Sequence, residues 1–496
     1  MSSPVDLPFL SFIQLDRNVS SPVYIQAAQQ IINAIQRGHL LIGSKLPGTR
    51  SLSDVLQVHR KTVTAIYAEL EAQGWVEVRP NKGTFVINPE EGGLAAKTSD
   101  MPVSLAKYPE KTGYFFIKSN ILDSPFEYSH CSYGFNDGVP DIRLMQMHNL
   151  SRIYSATMKR KSNRKKLGMY NQEGSEYFKA QLSTYLNLSR GLHITQENVL
   201  ITRSTEMSLY IISQLLITTG DLVLVGELSF FSANMVFQKS GARIQTIPID
   251  DQGIQVDYIR ENFEPGAIRL IYITPHHHYP TTVTLSAQRR IALLQLASEY
   301  GFVIIEDDHD YDFQYEQSVV MPLASADTQG MVIYIGTFGK SLAPGFRTGF
   351  VVAPYNLMCE MRKYLGIIDR QGDIIMEQAL GEMIEEGDIN RHLKKSLKVY
   401  RERRDLFCAL LGDFLPDVVS FKKPTGGLAL WTEWNVPFSL LKFANSCIRD
   451  DLFIPKTLLY QNAKVTAMRL GFGHLNDSEM EQSVAILKSR HDKMRC

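Results

Sequence analysis

From residue 128 onward, short runs that are apolar at every position alternate with helical patterns. The runs lie at 199–201, 222–225, 270–273, 302–305 and 332–335. A strand with one wet face alternates apolar and polar residues. A strand that is apolar on both faces must be covered on both faces. Helical patterns at 206–217, 286–301, 374–386 and 391–412 supply the cover. The expectation is an α/β fold: a mostly parallel sheet with helices on both faces and a smaller C-terminal α+β part from about residue 390. With 496 residues, 44% of them apolar, the chain has enough material for roughly two to four domains.

The N-terminal segment reads differently. Tyr24, Ala28, Ile31 and Ile35 fall at helical spacing within 23–37. A loop with Gly38, Gly43, Pro47 and Gly48 leads to a short helix at 51–57. After a break at Val58-His59, a second helix runs over 60–73 and stops at Gly74. Two strands, 75–79 and 83–86, flank the turn Pro80-Asn81-Lys82-Gly83. Helix, helix–turn–helix and hairpin make a winged helix over 15–86. Residues 87–127 lack a period, contain Gly92, Gly93, Pro102, Pro109 and Pro125, and read as a linker. Residues 128–496 form the larger domain.

Charge adds little. The 52 basic and 52 acidic residues cancel. Within 15–86, Arg17, Arg37, Lys45, Arg50, Arg60, Lys61, Arg79 and Lys82 outnumber Asp16, Asp54, Glu69, Glu71 and Glu77. That small excess is weak support for a nucleic-acid partner. The five cysteines are scattered without a CxxC pair, which argues for reduced thiols and no zinc site. The chain opens without a basic, then apolar leader, and no apolar run approaches the ~18 residues of a membrane span. A cytoplasmic protein without membrane attachment is the expectation.

The run Leu46-Pro47-Gly48-Thr49-Arg50-Ser51-Leu52, then Val58-His59-Arg60-Lys61-Thr62-Val63, then Gly74-Trp75 and Gly83-Thr84-Phe85-Val86, resembles the GntR family of winged-helix regulators. The resemblance implies a double-stranded DNA operator as partner. Arg50 would reach phosphate. Arg60, Lys61, Thr62 and Thr64 open the helix whose N-terminal end faces base edges in the major groove, and Lys82 and Gly83 tip the wing. The basic run Lys159-Arg160-Lys161, Arg164-Lys165-Lys166 reads either as a contact to flanking DNA or as a solvated helix end.

The larger domain carries its own ordered landmarks. They are Phe135 with Gly138-Val139-Pro140-Asp141, Tyr170-Asn171-Gln172-Glu173-Gly174, Glu306-Asp307-Asp308, the stretch from Tyr334 to Arg347, and Gly426-Gly427-Leu428. Together they resemble the aminotransferase-like fold type I domain of the MocR/GabR subfamily, in which that domain follows a GntR-type module. The resemblance implies pyridoxal 5′-phosphate (PLP) as cofactor and a homodimer. Lys340, after an apolar strand, would form the Schiff base. Asp307, at a strand's carboxyl end, would hold the ring nitrogen protonated. Thr337, Arg347, Ser204 and Thr205 would take the phosphate. Tyr170 resembles the tyrosine that reaches a phosphate across the dimer interface, and Phe231 the aromatic that stacks on the ring. Arg469 resembles the arginine that clamps a substrate carboxylate.

Several positions depart from the family's pattern. Gly339 replaces a serine before the lysine, and His309 stands where a tyrosine touches the ring's 3′-oxygen. Glu206 lies where its charge would repel phosphate, and Thr282 replaces a glycine. The adjacent His276, His277 and His278 have no carboxylate cluster at metal-ligand spacing, so no metal is expected. Schiff-base lysine, ring partner and phosphate arginine survive these changes, whereas the groups that tune reactivity do not. The expectation is therefore a PLP-dependent transcriptional regulator sensing PLP, an amine or an amino acid, with little or no turnover. An active aminotransferase with a fused DNA-binding module stays open, as does a regulator whose PLP pocket serves only as a dimer scaffold.

Overall fold

A computed structural model describes residues 13, 15, 22–36, 40–80, 82–87, 110–168, 174–316, 320–370 and 372–495. The chain divides into two compact units, Met1–Pro125 with Gln461–Val465, and Phe126–Tyr460 with Thr466–Cys496.

The first unit is built around three helices, Val23–Gln36, Thr49–Leu56 and Arg60–Ala72. Each turns an apolar stripe inward at helical spacing: Ala27, Ala28, Ile31, Ile32 and Ile35; Leu52 and Leu56; Val63, Ile66, Tyr67 and Leu70. Gln57 takes a left-handed conformation (φ 51°) that ends the second helix. The His59 ring then caps the third by accepting the Lys61 N–H at 3.2 Å. The hairpin Val76–Arg79 with Gly83–Val86 is antiparallel, and its cross-strand pair Val76 and Val86 is buried against the helices. Tyr67 ties the turn to the third helix by donating its hydroxyl to the Pro47 carbonyl at 2.6 Å.

The second unit holds a seven-stranded sheet. Its spatial order is Val199–Thr202, Gly349–Val352, Val332–Thr337, Val303–Asp307, Leu270–Ile273, Leu222–Gly226, Arg243–Ile247. Every neighbouring pair is parallel except those made by Gly349–Val352, which runs antiparallel to both its neighbours. Leu270 and Tyr272 pack into one apolar layer with the helices Thr205–Leu216 and Tyr355–Ile368. Ile271 and Ile273 pack into the opposite layer with the helix Ala287–Tyr300. Two-sided cover is what the uniformly apolar runs required. The edge strand Arg243–Ile247 escapes that signal because Arg243, Gln245 and Thr246 face solvent. A four-stranded sheet with Ala429–Trp434 and Thr466–Gly471 at its centre packs on the long helices Asp388–Phe414 and Asp477–Arg495. Tyr133–Gly134, from the start of the unit, joins this C-terminal α+β part by pairing with Leu452–Phe453.

Of the linker, only 87 and 110–127 are described. The latter stretch contains one short turn of helix, Asn120–Leu122, and leaves Tyr114, Phe115, Phe116 and Ile117 exposed.

Candidate functional site

Parallel register sets the site. Asp307, the last residue of Val303–Asp307, lies level with Ile335 on the neighbouring strand. Two residues past Ile335, Thr337 caps a single helical turn, Phe338–Ser341, by accepting the Gly339 N–H at 2.9 Å. That turn projects Lys340 from the same sheet end that carries Asp307. Lys340 Nζ donates to Asp310 Oδ1 at 3.1 Å. His309 stands between the two acids, with Nε2 3.4 Å from Asp310 Oδ1 and Nδ1 3.9 Å from Asp307 Oδ1. Asp307 Oδ2 accepts the Tyr272 hydroxyl at 2.6 Å, whereas the buried Oδ1 has no hydrogen-bond partner among the described residues.

Each acid is tuned separately. Burial pushes Asp307 up to about 6, against a usual 3.8. Burial also opposes the charge on Asp310, but His309 and Lys340 outweigh it and hold that carboxyl well below the usual range. Glu306 is pushed up to about 7 by burial and accepts the Leu323 and Ala324 N–H groups. Asp308 accepts the Tyr334 hydroxyl at 2.5 Å and lies 2.9 Å from His276 Nδ1.

Thr202, Gly349 and Thr337 lie abreast on three adjacent strands. This brings Ser204 against Gly349, the residue paired with Thr337, since a Cβ on Gly349 would come 3.4 Å from the Ser204 carbonyl carbon. Ser204 caps the helix Thr205–Leu216 by accepting the Met207 N–H at 3.2 Å, which leaves the first-turn N–H of Thr205 and its neighbours at the same corner. Arg347 is exposed, in a left-handed conformation (φ 49°), two residues before Gly349. Glu206 is exposed in the first helical turn, and its charge helps to raise both Asp307 and Tyr272.

Other expected residues are less committed to this centre. Phe231 opens the helix Phe231–Lys239 and packs edge-on to Phe126 at 5.8 Å, while its neighbour Phe230 meets Tyr279 at 5.3 Å. Tyr170 lies outside the described residues. Arg469 is fully buried and already engaged. Its Nε donates to Asp137 Oδ1 at 2.7 Å, its Nη1 to the Pro280 carbonyl at 2.9 Å, and its charge lies 4.9 Å above the centre of the Tyr279 ring. The three histidines are structural. His276 meets the Val320 carbonyl, and burial lowers His277 to about 4 and His278 to about 3. Thr282 holds the glycine-like φ of 62°. Sequence reasoning missed Tyr272, Asp310 and Asp137. The first was hidden in an apolar run, and the second lies just past the motif Glu306-Asp307-Asp308. Asp137 lies far from its partner Arg469 along the chain.

On the first unit, Arg50, Lys61 and Thr64 are exposed, and Arg60 Nε donates to Thr49 Oγ1 at 3.2 Å. Lys82 is exposed at the wing. Gly83 holds a positive φ of 115° that strains any residue with a side chain, and the end of the Lys45 side chain lies against it. Lys45 is thus a further cation at the wing that sequence reading had not singled out. In the basic run of the second unit, Arg160 pairs with Glu382 and Lys166 with Gln378 at 3.2 Å. Two of its charges are therefore spent on the helix Ile374–Glu385.

This sheet, with a lysine and an acid at neighbouring strand ends, defines an aminotransferase fold. The chain belongs to the aminotransferase class I and II family, whose profile matches residues 138–494. Residues 23–86 match the gntR family of bacterial regulatory proteins. Among curated relatives, the probable rhizopine catabolism regulatory protein MocR of Rhizobium meliloti is 27% identical over 416 residues, covering 84% of this chain and 82% of that one. The HTH-type transcriptional regulator TauR of Rhodobacter capsulatus is 28% identical over 393 residues, 78% of each chain. Among solved structures, an archaeal alanine:glyoxylate aminotransferase superposes with a TM-score of 0.68 at 27% identity, covering 73% of this chain and 91% of that one.

Proposed function

We propose that this protein is a PLP-responsive transcriptional regulator, with residues 15–86 binding an operator, 87–127 linking, and 128–496 holding the cofactor. The observation that carries the reading is Asp307 Oδ1, a buried carboxylate oxygen without a hydrogen-bond partner among the described residues, at the sheet end from which Lys340 projects. An orphaned buried acceptor suits a protonated ring nitrogen. When bound, PLP supplies an aldehyde that captures primary amines and a ring that withdraws electrons. The chain does the rest. Lys340 would supply the amine that bonds the cofactor, Asp310 beside it at 3.1 Å would supply the negative charge facing that nitrogen, and Tyr272 would keep Asp307 aimed. Thr337, Ser204, Thr205 and Arg347 hold the phosphate, with Tyr170 assigned to the same group from a second copy. Phe231 flanks the ring and His309 borders its 3′-oxygen. Arg50, Arg60, Lys61, Thr62, Thr64, Lys82 and Gly83 serve the DNA surface.

Support for regulation over turnover comes from His309. An imidazole between two carboxylates replaces a tyrosine hydroxyl, while Gly339 removes another hydroxyl beside Thr337. The relatives named as regulators point the same way. A DNA-binding regulator of this kind acts as a homodimer in the cytoplasm. Among the described residues, no helix is long and apolar enough to cross a membrane.

The test is spectral. Purified protein given PLP should develop a visible absorbance band that Lys340→Ala abolishes and Asp307→Asn weakens. Protein that shows no band at any PLP concentration sinks the cofactor reading.

A further inference from the structure

Arg469 has the burial and orientation of a carboxylate clamp, yet its donors are taken. A guanidinium holds a carboxylate through two parallel N–H groups, either Nε with Nη2 or Nη1 with Nη2. Asp137 occupies Nε at 2.7 Å and the Pro280 carbonyl occupies Nη1 at 2.9 Å. Both forks are therefore half used, and only the buried Nη2 is left without a partner among the described residues. The charge of Arg469 is balanced by Asp137 as well.

Asp137 is fixed in that place by its neighbours. Asn136 Oδ1 accepts the N–H groups of Gly138 and Val139 at 3.0 and 2.9 Å. The Gly471 N–H donates to the Asn136 carbonyl at 2.9 Å, two residues from Arg469 on the same strand. Gly471 has no room for a side chain, since a Cβ would meet Asn136 at 2.5 Å. The loop thus seats on the strand with the Asp137 carboxylate delivered to Arg469, while its side chain remains about a third exposed (35%). Beside the pair stand aromatic groups: Tyr279, whose ring Arg469 covers; Tyr460, whose hydroxyl meets that of Tyr279 at 3.4 Å; and Trp431, 5.0 Å from Tyr460.

We infer that Asp137 is an internal stand-in for a substrate carboxylate, and that the site selects primary amines without a carboxylate on the amine-bearing carbon. This rests on the PLP reading above. An α-amino acid must either displace Asp137 from a loop held by three hydrogen bonds to backbone N–H groups or bring a second carboxylate against the first. An amine lacking that group meets neither obstacle. The chemistry is an exchange of one primary amine for another on the cofactor's aldehyde carbon. The incoming nitrogen forms its bond to that carbon as the bond to Lys340 breaks, and its two hydrogens leave on the lysine nitrogen. No oxidant or reductant is consumed.

The matched probes are 1-aminobutane and L-norvaline, each with a single amine, which differ only by the α-carboxylate. Protein loaded with PLP is titrated with each, reduced with borohydride and weighed by mass spectrometry. The readout is how much cofactor has moved from Lys340 to the probe. Wild-type protein should transfer to 1-aminobutane at a concentration about tenfold below that needed for L-norvaline, and Asp137→Asn should narrow or reverse the gap by improving L-norvaline about tenfold. Asp137→Ala, which also frees the arginine, should act in the same direction. Equal or better transfer to L-norvaline in wild type, or no change in the ratio in both variants, would overturn the inference while leaving PLP binding intact. Absence of any PLP on Lys340 before the probes are added overturns the cofactor reading itself, and the inference with it.

Discussion

Asp307 and Asp310, three residues apart, are driven in opposite directions. Burial raises the first, whereas His309 and Lys340 lower the second. The free protein therefore holds a proton on Asp307 below about pH 6 that must leave when the carboxylate pairs with a protonated ring nitrogen. A raised folded value disfavours the ionised form, so that form becomes costly as pH rises above the ordinary 3.8, until a cationic partner arrives. PLP affinity should then weaken as pH falls from about 6 toward 4, by up to about tenfold per unit. Spectral titrations across that range should show the slope in wild type and a flat response in Asp307→Asn. An equal slope in both would place the linked proton elsewhere. Lys340 and Asp307 were legible in sequence because each follows an apolar strand. Asp310 and Asp137 were not, because nothing in their local pattern says which cation they face. A carboxylate's partner is set by tertiary approach, and only the folded chain brings Asp137 to Arg469.

Among the elements, the helix Arg60–Ala72 divides its residues cleanly. Val63, Ile66, Tyr67 and Leu70 are buried, and Arg60, Lys61 and Thr64 are exposed. The two sets predict different phenotypes. Lys61→Ala or Lys82→Ala should weaken operator binding with folding unchanged. Each should also reduce the slope of log affinity against log salt by about 1, because one phosphate fewer is neutralised. Tyr67→Phe removes the bond to the Pro47 carbonyl, and should lower the stability of the first unit by about 1 kcal/mol with no change in salt slope. Calorimetry and fluorescence anisotropy at several salt concentrations separate the two. A Lys61→Ala protein that binds with unaltered salt dependence would remove that residue from the interface. The element boundaries here were readable from sequence because Gly74 and the pair Val58-His59 punctuate the periodicity. In the large sheet, the uniformly apolar strands were readable, but the edge strand Arg243–Ile247 and the antiparallel Gly349–Val352 were not. Exposure breaks the apolar run in the first, and no sequence period records strand direction in the second.

For the whole molecule, the proposed regulator reading requires linkage between operator and amine. If an amine shifts operator affinity by some factor, the operator must shift amine affinity by the same factor. Measuring both with 1-aminobutane, by anisotropy and by borohydride trapping, should give matching factors. A factor of one in both directions would leave the cofactor domain as a scaffold only. The antiparallel strand Gly349–Val352 sets one more constraint. It turns the chain back so that Arg347 and Thr348 return to the corner already formed by Ser204 and Thr337. Surface loops that join the strands and helices between Thr205 and Met331 can therefore change length without disturbing that corner. The segment from Ser341 to Thr348 cannot, because one inserted residue would slide Arg347 out of step with the three strands. Tolerance to insertion should thus differ sharply between two loops of one domain, a fingerprint that a linker-scanning library can read without knowing the operator or the amine.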